Sequence, residues 1–464
     1  MIAKNDEFVL KIEDMGVNGE GIGHVEGLAL FVKDAIIGDV VRVKVMKMQK
    51  NYGFAKLIEV VEPSPDRVPL RCKAGRSCGG CQIQEMDYPA QLRFKEKKVR
   101  GNLERIGKID FASEEAPVFH ECIGMDNPWN YRNKAQFPVG RSRDGRIIAG
   151  FYAGRTHCII ECEDCAIGIE ENKQILKLVI SHMEKYFIQP YDEKEHRGIV
   201  RHVLIRKGFK TGEIMVCLVI NGDRFQESEK LADKLMEIPG MTSISLNVNK
   251  EKTNKILGDK MIDIRGEGYI SDYIGDVKFQ ISPLSFYQVN PVQTEKLYET
   301  ALKYAGLTGE ENVFDLYCGV GTISLFLAKK AKKVVGVEIV EQAVADARVN
   351  AKINGIENAE FHAGAAETVI PELYAKGVTA DVVVVDPPRK GCDEKLLDTI
   401  TQMKPDRIVY VSCDSATLAR DLKYLGENGY RVLEVQPVDM FPNCDAVETI
   451  VLLSHKSPDS VISM

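Results

Sequence analysis

Hydrophobic and polar positions follow three different patterns along the chain. Residues 1–62 alternate short apolar runs with glycine turns, as small all-β barrels do. Residues 118–275 also read as mostly β, with a helix at about 166–186, whereas residues 276–464 alternate continuous apolar strands with helix-like stretches. The pattern predicts a multidomain α/β protein with a barrel at 1–62, a central, mostly β domain at 70–275 and a C-terminal parallel-sheet domain at 276–464. Pro63, Pro65 and Pro69 mark the first linker.

Two strand-like runs of the C-terminal domain end in groups capable of chemistry. Val382–Val385 runs into Asp386, and Ile408–Val411 runs into Ser412 and Cys413. Uninterrupted β-branched runs indicate strands buried on both faces of a parallel sheet, and ligands of such sheets sit at the carboxyl ends of the strands. A cysteine after a strand is usually a small buried hydrophobic residue. Its neighbour Asp386 nevertheless predicts a site at this edge.

A glycine turn in the same domain predicts a Rossmann-like nucleotide site. The run from Val313 ends in Tyr317-Cys-Gly319-Val-Gly321, and the next strand ends in Glu338, placed to bind two ribose hydroxyls. Ser324 stands where dinucleotide enzymes have a third glycine, which serves the pyrophosphate. The turn therefore favours S-adenosylmethionine over NAD.

Composition and charge narrow the class of protein. The chain has 464 residues, 44% hydrophobic and 28% charged, which is typical of a soluble globular protein of about three domains. It has neither a signal sequence nor an apolar run long enough for a bilayer, so we expect a cytoplasmic protein without a membrane partner, and a monomer. Because the net charge is −7, any surface for nucleic acid must be local.

Four basic stretches are candidates for such a surface. Residues 42–56 carry five basic residues and no acidic one, interleaved with Tyr52 and Phe54, a combination on which RNA bases stack. Residues 88–108 form a predicted amphipathic helix with seven basic and two acidic residues. The arginines of residues 131–134 and 201–206 either line an RNA groove or are simply exposed strand charges. The first 62 residues also resemble a TRAM domain, a small RNA-binding barrel, through Gly19–Gly23 and Ala35–Val41.

The cysteines predict a metal centre. The chain has twelve, which in a cytosolic protein argues for metal or catalytic use of some. Cys72, Cys78 and Cys81 lie within ten residues, and the last two flank a Gly-Gly turn. The fourth ligand would come from a second group, Cys158, Cys162 and Cys165. Spacing alone leaves both this choice and that between zinc and an iron–sulfur cluster open.

Methylation of carbon 5 of uracil would use a cysteine and a carboxylate at the edge of this sheet together with the predicted S-adenosylmethionine site. That carbon becomes nucleophilic only after a thiolate adds to carbon 6, and a base must then remove the carbon-5 proton before the thiolate can leave. The reaction requires a cysteine, a carboxylate and a methyl donor. Cys413 is the candidate nucleophile, and Glu448, at the start of the last predicted strand, is the candidate base.

Nearly the whole chain resembles the RNA (uracil-5-)-methyltransferases of the RumA type, which modify 23S rRNA. The matching stretches are Cys78–Gln82, Tyr88–Leu92, Phe286–Glu295, Asp315–Gly321, Asp386–Gly391, Ser412–Asp414, Thr417–Asp421, Met440–Pro442 and Val447–Glu448. The resemblance implies that Cys413 is the nucleophile and Glu448 the base. It further implies that S-adenosylmethionine or the target base is held by Gln288, Tyr317, Gly319, Glu338 and Asp386. It also implies a [4Fe-4S] cluster on Cys72, Cys78, Cys81 and Cys165.

The sequence departs from the family pattern near both catalytic candidates. Ser415 replaces a usual proline, and Cys444 and Ala446 replace a usual threonine and histidine. Nucleophile and base are retained, so we expect an active enzyme acting on 23S rRNA. Two alternatives stay open, a tRNA enzyme of the same chemistry and an inactive RNA-binding protein of the same fold.

Overall fold

The computed structural model describes residues 2–154 and 156–455. Its N-terminal unit is a six-stranded β-barrel with the order β1-β5-β6-β4-β3-β2. The strands are β1 (Glu7–Lys11), β2 (Asp14–Met15), β3 (Gly21–Val25), β4 (Leu28–Lys33), β5 (Val40–Met48) and β6 (Tyr52–Glu62). Strand β5 alternates from Val41 to Met46, because Val41, Val43 and Val45 are fully buried while Arg42 points outward. The basic side chains of this segment are thereby presented on the outer surface.

The helix α1 (Tyr88–Arg105) follows the barrel. It is N-capped by Asp87, whose carboxylate accepts a hydrogen bond from the Ala90 amide at 2.8 Å. Its apolar face, including Val99 and Leu103, packs into the core of the C-terminal domain rather than into the central one. Part of the central region thus belongs structurally to the C-terminal sheet.

The central unit is a seven-stranded sheet with the order β10-β9-β8-β11-β12-β13-β14, covered by two helices. Its elements are β8 (Lys134–Arg141), β9 (Ile147–Tyr152), β10 (Ile159–Glu161), α2 (Glu171–Lys185), β11 (Val200–Lys207), β12 (Ile214–Ile220), α3 (Ser228–Met236), β13 (Met241–Val248) and β14 (Lys260–Arg265), and a short strand, β7 (Val118–Phe119), precedes them. The helix predicted at about 166–186 corresponds to α2.

The C-terminal unit is an eight-stranded, mostly parallel sheet with helices on both faces, in the order β19-β18-β17-β20-β21-β23-β22-β7. Its elements are α4 (Pro291–Ala305), β17 (Asn312–Leu316), α5 (Thr322–Ala328), β18 (Lys333–Glu338), α6 (Glu341–Ile353), β19 (Ala359–Ala363), α7 (Ala366–Ala375), β20 (Val382–Val385), α8 (Glu394–Met403), β21 (Arg407–Ser412), α9 (Ser415–Glu427), β22 (Tyr430–Val438) and β23 (Glu448–His455). A hairpin, β15 (Ile270–Ile274) with β16 (Val277–Ile281), packs against it. The edge strand β7 is contributed from far upstream, because it pairs with β22.

The arginines of β11 are neither exposed charges nor the lining of an RNA groove. Arg201 and Arg206 are 6% and 1% exposed. Arg201 donates to the carbonyls of Asn249 and Glu251, and Arg206 donates to that of Ser285 at 3.0 Å. A buried guanidinium needs acceptors, and loop carbonyls supply them here. Both expectations for these residues were wrong.

Within residues 2–154 and 156–455, none of the helices combines the length and the apolar content that a bilayer crossing requires.

Candidate active site

Four parallel strands bring most of the predicted site residues to one edge of the C-terminal sheet. Strand β17 lies between β18 and β20, and β20 pairs with β21. Tyr317, Glu338, Asp386 and Cys413 stand at or just beyond the carboxyl ends of these strands. Because parallel strands all end at the same edge, residues that are almost a hundred positions apart converge there.

Glu448 reaches the same edge because β23 runs antiparallel to β21. Ser412 at the end of β21 pairs with Thr449 near the start of β23. Because the strands are antiparallel, the same register sets Cys413, which follows Ser412, opposite Glu448, which precedes Thr449. Glu448 is 4% exposed and Cys413 is partly exposed, so the carboxyl is the more buried of the two groups. The two candidate catalytic groups are therefore neighbours.

The electrostatics of this edge are dominated by carboxyl groups. Burial raises the pKa of Glu448 to about 8, and the neighbouring Asp386 carboxylate adds to the rise. Burial raises the pKa of Asp386 to about 7. Burial and both carboxylates also raise the pKa of the Cys413 thiol to about 11, whereas the Arg389 guanidinium opposes the rise. The free site therefore keeps its thiol protonated and is suited to receive a positive charge.

The backbone of the turn after β17 borders an open space. Tyr317 adopts φ +66° and Gly319 φ +54°, and a side chain on Gly319 would meet no atom within 4 Å. A left-handed tyrosine is uncommon and is concentrated at functional sites. The Gly319 amide donates to the Glu338 carboxylate at 3.1 Å, and the Val340 amide donates to its other oxygen at 3.0 Å. The carboxylate is thus fixed at the rim of the space.

The surroundings of Glu338 fit an adenosyl group. Ile339 and Val340 are large apolar residues that are 65% and 53% exposed beside the carboxylate, where an adenine ring would cover them. Below the turn, Asp315 is fully buried and accepts a hydrogen bond from the Ser324 hydroxyl, while its second oxygen has no partner among the described residues. Burial raises the pKa of Asp315 to about 7. Ser324 therefore secures the turn from inside.

Gln288 lies in the loop that leads to α4. Its carbonyl accepts a hydrogen bond from the Asn133 side chain at 2.9 Å, and the Asn133 amide donates to the Val289 carbonyl at 2.8 Å. Asn290 caps α4 and also donates to the Met440 carbonyl. These bonds fix the loop between the central sheet and the C-terminal sheet. Phe286 beside it is 68% exposed.

The predicted metal cysteines lie in two adjacent groups. Interaction with the Cys162 side chain lowers the pKa of Cys72 to about 6 and that of Cys165 to about 7. Among residues 2–154 and 156–455, no three side chains already form a metal-ion site. The donor set nevertheless suits an iron–sulfur cluster, because thiolates are its ligands.

The second group joins Cys81 to a cysteine that the spacing did not suggest. Interaction with the Cys444 side chain and burial raise the pKa of Cys81, and the same interaction lowers the pKa of Cys444. Cys444 was noticed in the sequence only as a departure from the family pattern. Its distance along the chain from Cys81 hid this contact.

Arg389 is a site residue to which the sequence analysis gave no role. It follows Asp386-Pro-Pro, and its positive charge opposes the rise in the pKa of both Cys413 and Glu448. The signal was its place within a recognised motif, three residues after Asp386. Its electrostatic effect on Cys413 and Glu448 could be recognised only in the folded structure.

Known proteins match this architecture over most of the chain. The profile of the tRNA (uracil-5-)-methyltransferase family matches residues 125–456, and that of the TRAM domain matches residues 4–58. Uncharacterised RNA methyltransferases of Halalkalibacterium halodurans and Clostridium tetani are 51% and 50% identical, each over 98% of this chain and over 98% and 97% of their own lengths.

A solved structure shares the fold. The tRNA (uracil-54, C5)-methyltransferase of Pyrococcus abyssi, in complex with S-adenosyl-L-homocysteine, superimposes with a TM-score of 0.77 at 28% identity. The match covers 96% of this chain and 99% of that one.

Proposed function

Because the chain belongs to the tRNA (uracil-5-)-methyltransferase family, and is thus an S-adenosylmethionine-dependent RNA methyltransferase with a TRAM domain, we propose that it methylates carbon 5 of a uridine in 23S rRNA through a covalent adduct on Cys413. The observation that carries this proposal is the pairing of β21 with β23, which sets Cys413 opposite Glu448. A thiol and a carboxyl on the same small area are what addition to carbon 6 and proton removal from carbon 5 require.

The reaction begins at Cys413. Its thiol loses its proton to the Asp386 carboxylate, and the thiolate forms a bond to carbon 6 of the flipped uracil. Electrons move to carbon 5, which becomes the nucleophile. S-adenosylmethionine supplies the electrophilic methyl group when bound.

Release of the product requires Glu448. Its carboxylate takes the proton from carbon 5, the double bond between carbons 5 and 6 re-forms, and the bond from carbon 6 to sulfur breaks. Glu448 must be ionised for this step, and Arg389, which lowers its pKa, favours that state. Arg389 also favours the thiolate that leaves.

In this proposal the cofactor binds at the edge of the C-terminal sheet. The residues that would hold it are Gln288, Tyr317, Gly319, Glu338 and Asp386. Glu338 would bind the ribose hydroxyls, and the carboxylates near Cys413 would attract the positive sulfonium. A [4Fe-4S] cluster would be held by Cys72, Cys78, Cys81 and Cys165. Since the methylation contains no redox step, the cluster would serve the structure of the central unit.

RNA binding is assigned in part to the barrel. Phe31, Tyr52 and Phe54 form a cluster on its surface, with ring centroids 5.6–5.7 Å apart. They line a groove of about 380 Å³ together with residues 16–18, Glu20 and Ala29. Tyr52 and Phe54 are 39% and 40% exposed, so their rings are available for stacking with bases. The lysines of β5 provide positive charge beside them.

A tRNA substrate is the second candidate. It is favoured by one observation, the structural similarity to the tRNA enzyme of Pyrococcus abyssi. Mass-spectrometric mapping of 5-methyluridine in rRNA and tRNA, in cells with and without the gene, decides between the two. Loss of the modification from 23S rRNA supports the proposal, and loss from tRNA alone supports the alternative.

Covalent chemistry is tested with RNA that contains 5-fluorouracil. Fluorine at carbon 5 cannot be removed as a proton, so an active enzyme stays attached to the RNA after methyl transfer. We expect a denaturant-resistant complex with the natural protein and none with Cys413→Ala. A protein that binds RNA but forms no complex would be an inactive member of the family.

A further inference from the structure

The segment that delivers Glu448 to the site is held almost entirely by other parts of the chain. We call residues 439–447, between β22 and β23, the base loop. Glu448 follows it directly, so the position of the loop sets the position of the carboxyl. Its backbone accepts hydrogen bonds from Gln293 at Asp439 and from Asn290 at Met440. Residues 123–131 contribute others, since the Tyr131 hydroxyl donates to the Pro442 carbonyl and the Asp439 amide donates to the Ile123 carbonyl. Two further elements, α1 and the cysteine loop 78–83, also contact the base loop.

Helix α1 holds the loop through a buried cation. The Lys95 ammonium is fully buried, donates to the Asp439 carboxylate at 2.5 Å and donates to the Phe441 carbonyl at 2.9 Å. One turn away, Lys98 donates to the Asp445 carbonyl at 2.8 Å. Phosphate has no access to a buried ammonium, so Lys95 serves the protein interior. Helix α1 was expected to contact RNA phosphates, but its residues Lys95 and Lys98 bind the base loop instead.

The rest of the basic surface of α1 is also paired within the protein. Lys97 binds Asp14 of the barrel at 2.6 Å, and Arg93 binds Asp66 at 3.0 Å. These ion pairs are exposed to solvent, and each contributes little to the stability of the fold. The pair of Lys95 differs, because removing one partner leaves a buried charge uncompensated.

The cysteine loop holds the base loop from the other side. The Cys444 thiol donates to the Gly80 carbonyl at 2.7 Å, the Ile83 amide donates to the Asn443 carbonyl at 3.2 Å, and the Asp445 amide donates to the Gln82 side chain at 3.3 Å. Gly80 and Gln82 flank Cys81. The cysteine centre is thus connected to Glu448 by four residues of chain.

We propose that Lys95 and Cys444 are positioning residues for the Glu448 carboxyl, and that through Cys444 the cysteine loop sets the rate of RNA release rather than of methyl transfer. The inference rests on the function proposed above. Addition of Cys413 to carbon 6 and methylation of carbon 5 precede any need for Glu448 as a base. Only the last step, in which the carboxylate takes the carbon-5 proton and the carbon-to-sulfur bond breaks, depends on its exact placement.

The test compares Cys444→Ala with Cys444→Thr on natural RNA. Alanine removes the donor to the Gly80 carbonyl, whereas threonine, which the family usually has here, retains one. In a single turnover we expect methyl incorporation by Cys444→Ala within about twofold of the natural rate. Release should slow roughly tenfold or more, because small displacements of a catalytic group cost that much. Methylated RNA should then accumulate covalently on the protein, and Cys444→Thr should release it normally.

The matched control is Lys97→Ala, on the same helix as Lys95 but directed at the barrel. It should leave the partition between methylation and release unchanged. A readout independent of activity is amide hydrogen exchange of the peptide that contains Glu448, which should speed up in Cys444→Ala and not in Lys97→Ala. Iron and sulfide content are measured in each variant, so that loss of metal is recognised.

The inference is overturned if Cys444→Ala slows methylation and release equally, or neither. If Cys444→Ala does not fold, Gln82→Ala removes the neighbouring hydrogen bond and decides the question by the same measurements. Failure of the proposed function gives a different result, because the natural protein would then form no complex with 5-fluorouracil RNA.

Discussion

Cys413 and Glu448 face each other because β21 and β23 run in opposite directions, with Ser412 paired to Thr449. The antiparallel strand brings the start of one element to the end of the other. A carboxyl from the last strand thereby joins a site otherwise built from the ends of parallel strands. This relationship gives the two groups separate roles that mutation can distinguish.

Glu448→Gln should stall after methyl transfer. The glutamine cannot take the carbon-5 proton, so the thiolate cannot leave and a covalent protein–RNA species should accumulate with natural RNA. Denaturing electrophoresis detects it, and mass spectrometry shows that the methyl group is present. Cys413→Ala is the control and should give neither species nor product. Normal turnover by Glu448→Gln would assign the base to another group, with Asp386 the first candidate.

The buried carboxyls should make stability depend on pH. Because the pKa of Glu448 is raised to about 8 from an ordinary 4.5, the folded state retains a proton that the unfolded state has lost between these values. Stability should therefore fall as pH rises from 4.5 to 8. Glu448→Gln lacks this loss, so its melting temperature relative to the natural protein should rise across that window by roughly 2 °C or more. Parallel pH curves for the two proteins would contradict the assignment.

Glu338→Ala should weaken binding of S-adenosylmethionine by roughly tenfold or more, because two hydrogen bonds to a charged carboxylate are lost. Isothermal titration calorimetry without RNA measures the change. Glu341→Ala, an exposed carboxylate at the start of α6, is the matched control and should bind normally. Equal affinities in both variants would remove Glu338 from the cofactor site.

Charge removal from the barrel should weaken RNA binding and flatten its dependence on salt. The triple variant of Lys44, Lys47 and Lys50 to alanine should reduce the slope of log affinity against log salt by about 2, because each phosphate contact to a single strand contributes about 0.7. The control replaces Lys250, Lys252 and Lys255, exposed lysines of the central unit. Unchanged affinity in the barrel variant would mean that this face is only solvated.

Protein purified without oxygen should be brown and contain iron and sulfide. Cys72, Cys78, Cys81 and Cys165 are the predicted ligands, and serine at any of them should lower the iron content. Cys158→Ser is the control, since Cys158 is exposed. Comparison of Cys162→Ser with Cys165→Ser decides which is the fourth ligand. Stoichiometric zinc without iron would contradict the cluster.

Local sequence patterns were enough to predict the class of fold and the sheet edge at which the candidate catalytic residues lie. The uninterrupted valines of Val382–Val385 predict a strand buried on both faces, and the polar Asp386 after them indicates where that strand ends. The glycine turn at Gly319 and the acidic Glu338 identify a cofactor site in the same local way. Periodicity and turn chemistry act over a few residues, so a linear pattern records them completely.

The contacts between charged side chains and between thiols could not be predicted from local patterns and were found in the folded chain. Lys95 appeared to be one of several phosphate-binding lysines, but it is buried against Asp439, 344 positions away. Arg206 appeared to be a strand charge and instead holds a loop near Ser285. Cys444 lies against the cysteine loop. A charged side chain looks the same in a sequence whether it faces solvent or a buried partner, because burial is set by contacts between distant segments.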